Sequence, residues 1–186
     1  MELHKDYITS YLEEVKQICD QLDQDEIVKF ASILHNLTGR CFVLGLGGSA
    51  ANASHLVNDL RKICKIDATS PLDNVAELTA RINDDEWATS ISETLKISNI
   101  NSDDCILVLS VGGGSENTSQ SLVEAMKLIK SRDGKIVSIV SRDGGYARKL
   151  SDACVLVPTV NQERITPHAE EFQAVVWHLI VNMIKE

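Results

Sequence analysis

Hydrophobic residues recur at two different spacings along the chain. In the first forty residues they recur every three or four positions, as at Ile8 and Leu12, which is the period of an amphipathic helix. Asp23 followed by Glu26 resembles a capping box and predicts a second helix that stops near Gly39. We therefore expect two N-terminal helices that have no sheet of their own.

From Cys41 onward, short apolar runs alternate with stretches of helical period. The runs predict strands at 41–45, 105–110, 135–140 and 154–157, with a further short strand between Lys65 and Pro71. Helices are expected near 50–63, 86–98, 116–131 and 144–151, and a last helix runs from Pro167 to the end. Strands and helices that alternate at this length predict an α/β fold with a doubly wound parallel sheet.

Two glycine-serine loops follow predicted strands and precede predicted helices. The first is Gly45–Ser49, and the second is Ser110–Ser115. In a parallel sheet such loops meet at the carboxyl ends of neighbouring strands. Glycine lets the backbone approach a ligand closely, and free amides at a helix start attract anions. The pair of loops predicts a crevice for a small phosphorylated ligand.

Two other interpretations of the first loop remain open. Gly45 to Ala50 also fits G-x-G-x-x-A, and Asp67 follows about twenty residues later, as in a dinucleotide site. The second loop is not part of that fingerprint. The glycines of both loops are also compatible with a purely structural role in tight strand-to-helix turns.

Charge and cysteine content narrow the function classes. The chain of 186 residues has a net charge of −9, whereas a nucleic-acid-binding surface would be basic. Three of its five cysteines, Cys41, Cys105 and Cys154, lie in apolar strand-like runs and are expected to be reduced. No signal peptide and no membrane-spanning apolar run is recognisable, so we expect a cytoplasmic protein with neither nucleic acid nor membrane as partner.

Ionisable residues fall on two of the predicted helices. His55 and Asp59 are four residues apart and share one face of the helix that follows the first loop. The pair is either a solvated surface pair or part of the site, since that helix begins at the predicted phosphate position.

The last helix carries an apolar stripe of Phe172, Val175, Val176, Leu179 and Met183. His178 lies on a different stripe, together with Glu171, Ala174 and Asn182. Two histidines with nearby carboxylates are a plausible zinc set, although a hydrogen-bonded core histidine is the alternative for His178.

Taken together, these residues resemble a sugar isomerase (SIS) domain of the phosphoheptose isomerase family. The resemblance extends over nearly the whole chain. It is strongest at 45–55, at 78–84, at 141–145 and from Glu170 to His178.

The resemblance implies a three-layer αβα sandwich with a five-stranded, mainly parallel, flavodoxin-like sheet plus N-terminal helices. Residues 1–186 would form a single SIS domain, with 1–39 as N-terminal helices used in oligomer packing and 40–186 as the αβα core. The implied activity is an aldose-ketose isomerase that converts sedoheptulose 7-phosphate to D-glycero-D-manno-heptose 7-phosphate, for lipopolysaccharide or capsule heptose. The implied assembly is a homotetramer with active sites at subunit interfaces.

Site residues carry over from the family position by position. Asp59 and His178 match the catalytic pair. Zinc ligands fall on His55, Asp59, Glu170 and His178. Substrate-binding positions are Leu46, Gly47, Gly48, Ser49, Asn52, Asp59, Asn83, Asp84, Ser110, Val111, Gly112, Ser115 and Glu170. By helical spacing alone, however, Glu171 faces His178 better than Glu170 does, so the choice between these glutamates stays open.

The chain departs from the family pattern at several of these positions. Asp59 stands where the family has glutamate, Glu170 stands where it has glutamine, and the family's arginine just after the catalytic helix position falls on Ile63. The second loop reads Ser-Val-Gly-Gly-Gly-Ser in place of Ser-Thr-Ser-Gly-Asn-Ser, so two hydroxyl donors are lost. Two alternative functions therefore stay in view: a non-catalytic SIS module of the kind that associates with a replication initiator, and a sugar-phosphate-sensing regulator.

Overall fold

Five parallel strands form one sheet at the centre of the computed structural model, which describes residues 5–185. The strands are β1 (Cys41–Gly45), β2 (Ala68–Thr69), β3 (Cys105–Leu109), β4 (Lys135–Val140) and β5 (Ala153–Leu156). Their order in the sheet is β2-β1-β3-β4-β5. All four pairings are parallel, which confirms the predicted fold class.

Eight α-helices are described within residues 5–185. They are α1 (Lys5–Gln21), α2 (Gln24–His35), α3 (Gly48–Lys62), α4 (Val75–Asp84), α5 (Ser90–Ile97), α6 (Gln120–Lys130), α7 (Gly145–Leu150) and α8 (Ile165–Ile184). A single 3-10 turn, Gln162–Arg164, leads into α8. None of the helices described is long and apolar enough to span a bilayer.

Side chains alternate across the sheet and build two cores. Cys41 and Val43 of β1 point into the core shared with α1, α2, α3 and α8. Phe42 and Leu44 point into the opposite core, shared with α5, α6 and α7. Because both faces are covered, the strands are continuous apolar runs, which is why the sequence pattern identified them.

The strand order places a topological switch point between β1 and β3. The chain leaves β1 for the edge strand β2 and then crosses back to β3 on the other side of β1. Gly45 pairs in register with Leu109, so the two glycine loops leave the sheet side by side. In sheets of this order, ligands bind in the crevice at this point.

Several predicted helix bounds need correction, among them the start of α5, which was expected near 86 and lies at Ser90. The helix expected from 116 begins at Gln120, because Ser119 has a left-handed backbone with φ 55° and residues 116–119 continue the loop. Helix α4 was not predicted at all. The second helix ends at His35 rather than near Gly39, and the last helix begins at Ile165, before Pro167.

The capping box at Asp23 is half formed. The Asp23 side chain accepts hydrogen bonds from the amides of Asp25 and Glu26 at 3.0 and 3.1 Å, as an N-cap does. The Glu26 carboxylate does not return to Asp23. It accepts instead from the amide of Cys154, which fastens α2 to β5.

The apolar stripe predicted on α8 does not correspond to one buried face of the helix. Phe172 and Val176 are buried, together with Trp177, Ile180 and Val181. Val175, Leu179 and Met183 are between 44% and 51% exposed, so they form a separate apolar row on the outer face. The period identified the helix, but both of its apolar rows have that period.

Candidate active site

The first glycine loop ends in a helix start with unused amides. Gly47 has φ 62° and ψ −128°, a conformation open to glycine, and α3 begins at the next residue. The amides of Gly48 and Ser49 donate to no acceptor among residues 5–185. Such orphan donors at the positive end of a helix are suited to an anionic oxygen.

A buried glutamine holds this loop from behind. Gln173 of α8 is fully buried, and its Nε2 donates to Ser49 Oγ at 3.0 Å. Its Oε1 accepts from Asn52 Nδ2 at 2.9 Å, and Asn52 also donates to the carbonyl of Glu170. Because the Ser49 oxygen already accepts from Gln173, the hydroxyl proton of Ser49 is free to point elsewhere.

The second loop is interlocked with the turn before α7. Tyr146 and Ala147 donate their amides to the carbonyls of Gly114 and Gly113 at 3.0 and 2.9 Å. A Cβ at Gly113 would overlap the carbonyl of Gly144, so no other residue fits there without a backbone shift. The amides of Val111, Gly112 and Gly114 have no acceptor in the described chain.

A cleft of about 690 Å³ opens at the carboxyl ends of β1, β3 and β4. Its lining includes Leu46 and Ser49 of the first loop, most of 110–119, residues 142–149 in part, and Thr166. Four charged side chains line it: Arg142 and Lys149, against Asp143 and Glu116. The cleft therefore joins both glycine loops in one polar space, at the switch point.

A second cluster lies farther along α3 and α8. His55, Asp59 and His178 bring ligand atoms to within 4.8 Å of one another. Each histidine Nε2 lies 3.8 Å from Asp59 Oδ2, and Asn58 donates to the other Asp59 oxygen at 2.9 Å. The helices run parallel, which lets His178 meet the i, i+4 pair of α3.

The ring orientation of His178 is fixed by its own helix. Its Nδ1 lies 2.7 Å from the Ala174 carbonyl, and since a carbonyl only accepts, Nδ1 carries the proton. Nε2 then faces Asp59 Oδ2 at 3.8 Å. Two imidazole nitrogens and one carboxylate oxygen around a common space form a donor set that fits zinc and leaves a coordination position open.

The predicted zinc ligand Glu170 lies at the first glycine loop and not in the cluster of His55, Asp59 and His178. Glu170 lies against Gly48, where its carboxylate would overlap a Cβ at that residue. It stands eight residues before His178, about 12 Å along the helix, and so does not join the three cluster residues within one chain. Glu171 turns away toward Tyr11 and His168, which places Glu170 rather than Glu171 at the first loop.

Asn83 and Asp84 lie apart from both clusters. They are exposed at the end of α4, where Asn83 Nδ2 donates to Asp84 Oδ1 at 2.7 Å. Neither lines the cleft. The structure of one chain gives them no neighbour in the candidate site.

The chain is similar in sequence to proteins named phosphoheptose isomerase. The chain is 26% identical to a phosphoheptose isomerase of Helicobacter pylori strain P12 over 187 residues, covering 98% of this chain and 90% of that protein. It is 26% identical to the phosphoheptose isomerase of Geobacter sulfurreducens over 192 residues, covering 97% of each. The chain is a sequence relative of the phosphoheptose isomerases. No protein-family model matches it.

The fold agrees with this relationship. The structure of a phosphoheptose isomerase from Francisella tularensis superposes with a TM-score of 0.83, at 20% identity and over 98% of both chains. The resemblance seen in the sequence motifs is therefore confirmed for both sequence and fold, from the N-terminal helices to α8.

The chain also has a buried polar network that the sequence pattern did not indicate. Glu14 of α1 accepts from His168 Nε2 and Asn161 Nδ2 at 2.8 Å and from Arg164 at 2.9 Å. The bond from His168, followed by that from Asn161, lowers the pKa of Glu14 to about 2. Burial and the hydrogen bond to Glu171 raise the pKa of Tyr11 to about 12. The network fastens α1 to the start of α8.

Arg142 in the cleft and Gln173 behind the first loop were not singled out as site residues from the sequence. Arg142 lies two residues after the end of β4. Because ligands bind at the carboxyl ends of parallel strands, this position in the sequence could have indicated a site residue. Gln173 gave no such signal, since a glutamine inside a helix is ordinarily exposed.

Proposed function

We propose that this protein is an aldose-ketose isomerase acting on a sugar phosphate, most specifically on sedoheptulose 7-phosphate to give D-glycero-D-manno-heptose 7-phosphate. The observation that carries the proposal is the His55–Asp59–His178 cluster in a chain that also has a cleft of unused amides. The relatives are named phosphoheptose isomerases, which supports a heptose phosphate as the substrate class. A purely structural or scaffolding module has no need of converging imidazoles and a carboxylate.

The phosphate end of the substrate belongs in the cleft. The free amides of both loops and the hydroxyls of Ser49, Ser110 and Ser115 offer donors to phosphate oxygens. We place Leu46, Gly47, Gly48 and Asn52 around the sugar at the first loop. We expect Val111 and Gly112 to bind phosphate through their amides alone.

The reaction moves a proton between two adjacent carbons. A base removes a proton from C1 of the ketose, an enediol forms, and the proton returns to C2 while the hydroxyl protons are redistributed between O1 and O2. We assign Asp59 as the base, because Asn58 donates to its Oδ1 and leaves Oδ2, which faces the two histidines, for the substrate. His178 handles oxygen protons or ring opening, since its Nδ1 donates to Ala174 and its Nε2 is left facing Asp59.

Aspartate at 59 changes the reach of the base. It is shorter than the family's glutamate by one methylene, about 1.5 Å, a displacement that costs rate unless the substrate sits correspondingly closer. Its burial beside α8 limits its movement.

We propose zinc as the cofactor, held by His55, Asp59 and His178. Bound there, zinc would polarise substrate oxygens and stabilise negative charge. Glu170 is the fourth proposed ligand and would have to reach the ion from another copy of the chain, because within one chain it lies at Gly48.

The same geometry supports a proposal about assembly. Asp59 is ten residues beyond Ser49 on α3, about 15 Å along the axis, which exceeds the carbon chain of a heptose. We therefore propose a homotetramer in which a cleft and a cluster from different copies form each site, with Asn83 and Asp84 joining from the surface. Exposed apolar residues on α1 (Ile8, Leu12) and α8 (Val175, Leu179) are suited to such contacts. With all five cysteines free, a reducing cytoplasm is the proposed location.

The test is turnover of sedoheptulose 7-phosphate followed by the anomeric proton signals in NMR, with and without zinc. Wild-type protein should form aldoheptose 7-phosphate. His178→Ala should lower kcat by about a hundredfold to ten-thousandfold, while His35→Ala, an exposed histidine at the end of α2, leaves it unchanged. Full activity in His178→Ala would contradict the catalytic role assigned to His178. No conversion by wild type would contradict sedoheptulose 7-phosphate as the substrate.

A further inference from the structure

Arg142 is a cationic side chain in the cleft for which the structure shows no partner. Its aliphatic Cδ lies 3.9 Å from the position that a Cβ on Gly112 would take, so the side chain extends over the second loop. No carboxylate within residues 5–185 lies within ion-pair distance of its guanidinium. Arg40, Arg61, Arg81 and Arg164 have such partners, whereas the exposed Arg132, Arg142 and Arg148 have none among these residues. Of the three, only Arg142 lines the cleft.

The backbone of Arg142 is held in a conformation that arginine rarely adopts. Its φ is 55°, in the left-handed region. Ser141 donates its amide to Val111 at 3.0 Å, and Gly144 donates to Ser141 at 3.0 Å, so both sides of the residue are fixed. An uncommon backbone state that its surroundings enforce is often found where a side chain must be aimed at a ligand.

The other charges of the cleft leave room for an anion beside Arg142. The Asp143 carboxylate accepts from the amide of Gly145 at 3.1 Å and so belongs to its own turn. Lys149 lies over the ring of Tyr146, with its Nζ 5.5 Å from the centroid. Glu116 also lines the cleft, and its carboxylate makes no hydrogen bond or ion pair within the described chain.

The second loop by itself is short of charge. Of its six residues only Ser110 and Ser115 have hydroxyls, and both oxygens already accept a backbone amide, from Gly113 and from Asn117. A phosphate monoester carries close to two negative charges at neutral pH. Amides and two hydroxyls stabilise that charge only as dipoles, whereas a guanidinium neutralises it and donates two parallel hydrogen bonds.

We propose that Arg142 is a phosphate-binding residue of this protein and pairs with the phosphate that the amides of Val111, Gly112 and Gly114 receive. The proposal rests on the proposed function, because it takes a sugar phosphate as the occupant of the cleft. It makes Arg142 a determinant of specificity for the phosphorylated end, separate from the residues that carry out proton transfer.

The test measures binding of inorganic phosphate by isothermal titration calorimetry, alongside turnover of sedoheptulose 7-phosphate. Arg142→Met keeps the aliphatic stem and removes the charge, so the Kd for phosphate should rise by about tenfold or more. Arg142→Lys keeps a charge without the planar fork, so its Kd for phosphate should lie between those of wild type and Arg142→Met. Arg132→Ala, an exposed arginine before β4 at the opposite end of that strand, removes the same charge and should bind as wild type does.

Folding is checked separately, because position 142 has a left-handed backbone. Arg142→Asn suits that backbone better than Met does, and it should show the same loss of phosphate binding with an unchanged circular dichroism spectrum. In turnover, the Met and Asn variants should raise KM with a smaller change in kcat, as expected for lost ground-state binding.

The outcomes separate this inference from the proposed function. If Arg142→Met binds phosphate more weakly than wild type, and wild type does not turn over sedoheptulose 7-phosphate, the role of Arg142 is supported and the proposed substrate is rejected. Turnover by wild type with equal phosphate affinity in wild type and Arg142→Met would overturn the inference and leave the isomerase in place. A wild type that binds no phosphate at all would also overturn it.

Discussion

Replacing Gln173 with leucine tests whether α8 positions the first glycine loop. The side chain of Gln173 is fully buried and bonds to Ser49 Oγ and to Asn52 Nδ2. Leucine has a similar size but makes neither bond. Asn52 retains its second acceptor, the carbonyl of Glu170, whereas Ser49 retains no partner from α8.

The magnitude follows from the two bonds. At about 1 kcal/mol each, their loss lowers the free energy of unfolding by about 2 kcal/mol. For a chain of this length that corresponds to a fall in Tm of about 4–8 °C. Gln17→Leu, which changes an exposed glutamine on α1, should stay within about 0.5 kcal/mol of wild type.

Urea unfolding followed by tryptophan fluorescence is the assay, because Trp177 is 1% exposed and lies on α8 near Gln173. Protein concentration is held constant, since assembly would shift the midpoint. The double variant Ser49→Ala with Gln173→Leu should be more stable than the sum of the single losses predicts, by about 1 kcal/mol. If the two losses simply add, the Ser49–Gln173 bond contributes nothing and the assigned positioning role is refuted.

Two further predictions concern the network at α1 and the metal cluster. The pKa of Glu14 is lowered from 4.5 to about 2, so its contribution to stability is complete above about pH 4.5 and is lost as the pH falls toward about 2. The difference in Tm between wild type and Glu14→Gln should therefore shrink over that interval, and a constant difference would contradict the network. In equilibrium dialysis, wild type should bind zinc, and His55→Ala should bind it at least tenfold more weakly. His35→Ala is the histidine control and should bind as wild type does. Equal zinc binding by wild type and both variants would exclude the His55–Asp59–His178 site.

Most of the sheet was predictable, because burial on both faces makes each strand a continuous apolar run. Cys41–Gly45 was predicted at its observed bounds, and Cys105–Leu109 to within one residue. The start of α6 was not predictable, since nothing in the residues 116–119 announces the left-handed backbone at Ser119. Helix α4 was missed although Val75, Leu78 and Ile82 recur at helical spacing on one face, and none of its residues is buried in the described chain.

The candidate site was predictable where it is local. Helical spacing alone placed His55 beside Asp59. The approach of His178 to that pair depends on how α3 packs on α8, which no local pattern contains, and it came from the family resemblance. The same packing decides between Glu170 and Glu171: they are adjacent in sequence, yet one faces the first loop and the other faces α1.

The interlock between the second loop and the turn before α7 has a consequence for how a ligand enters. The carbonyls of Gly113 and Gly114 are bound to the amides of α7, and a Cβ at Gly113 or Gly145 would overlap the facing backbone. The two segments therefore cannot open or close independently of each other. A cleft wall of this kind is preorganised, so little conformational entropy is lost there when an anion binds. The same close approach restricts the sequence: a Cβ at either glycine would overlap main-chain oxygens of the other segment, so a substitution there requires the facing backbone itself to move.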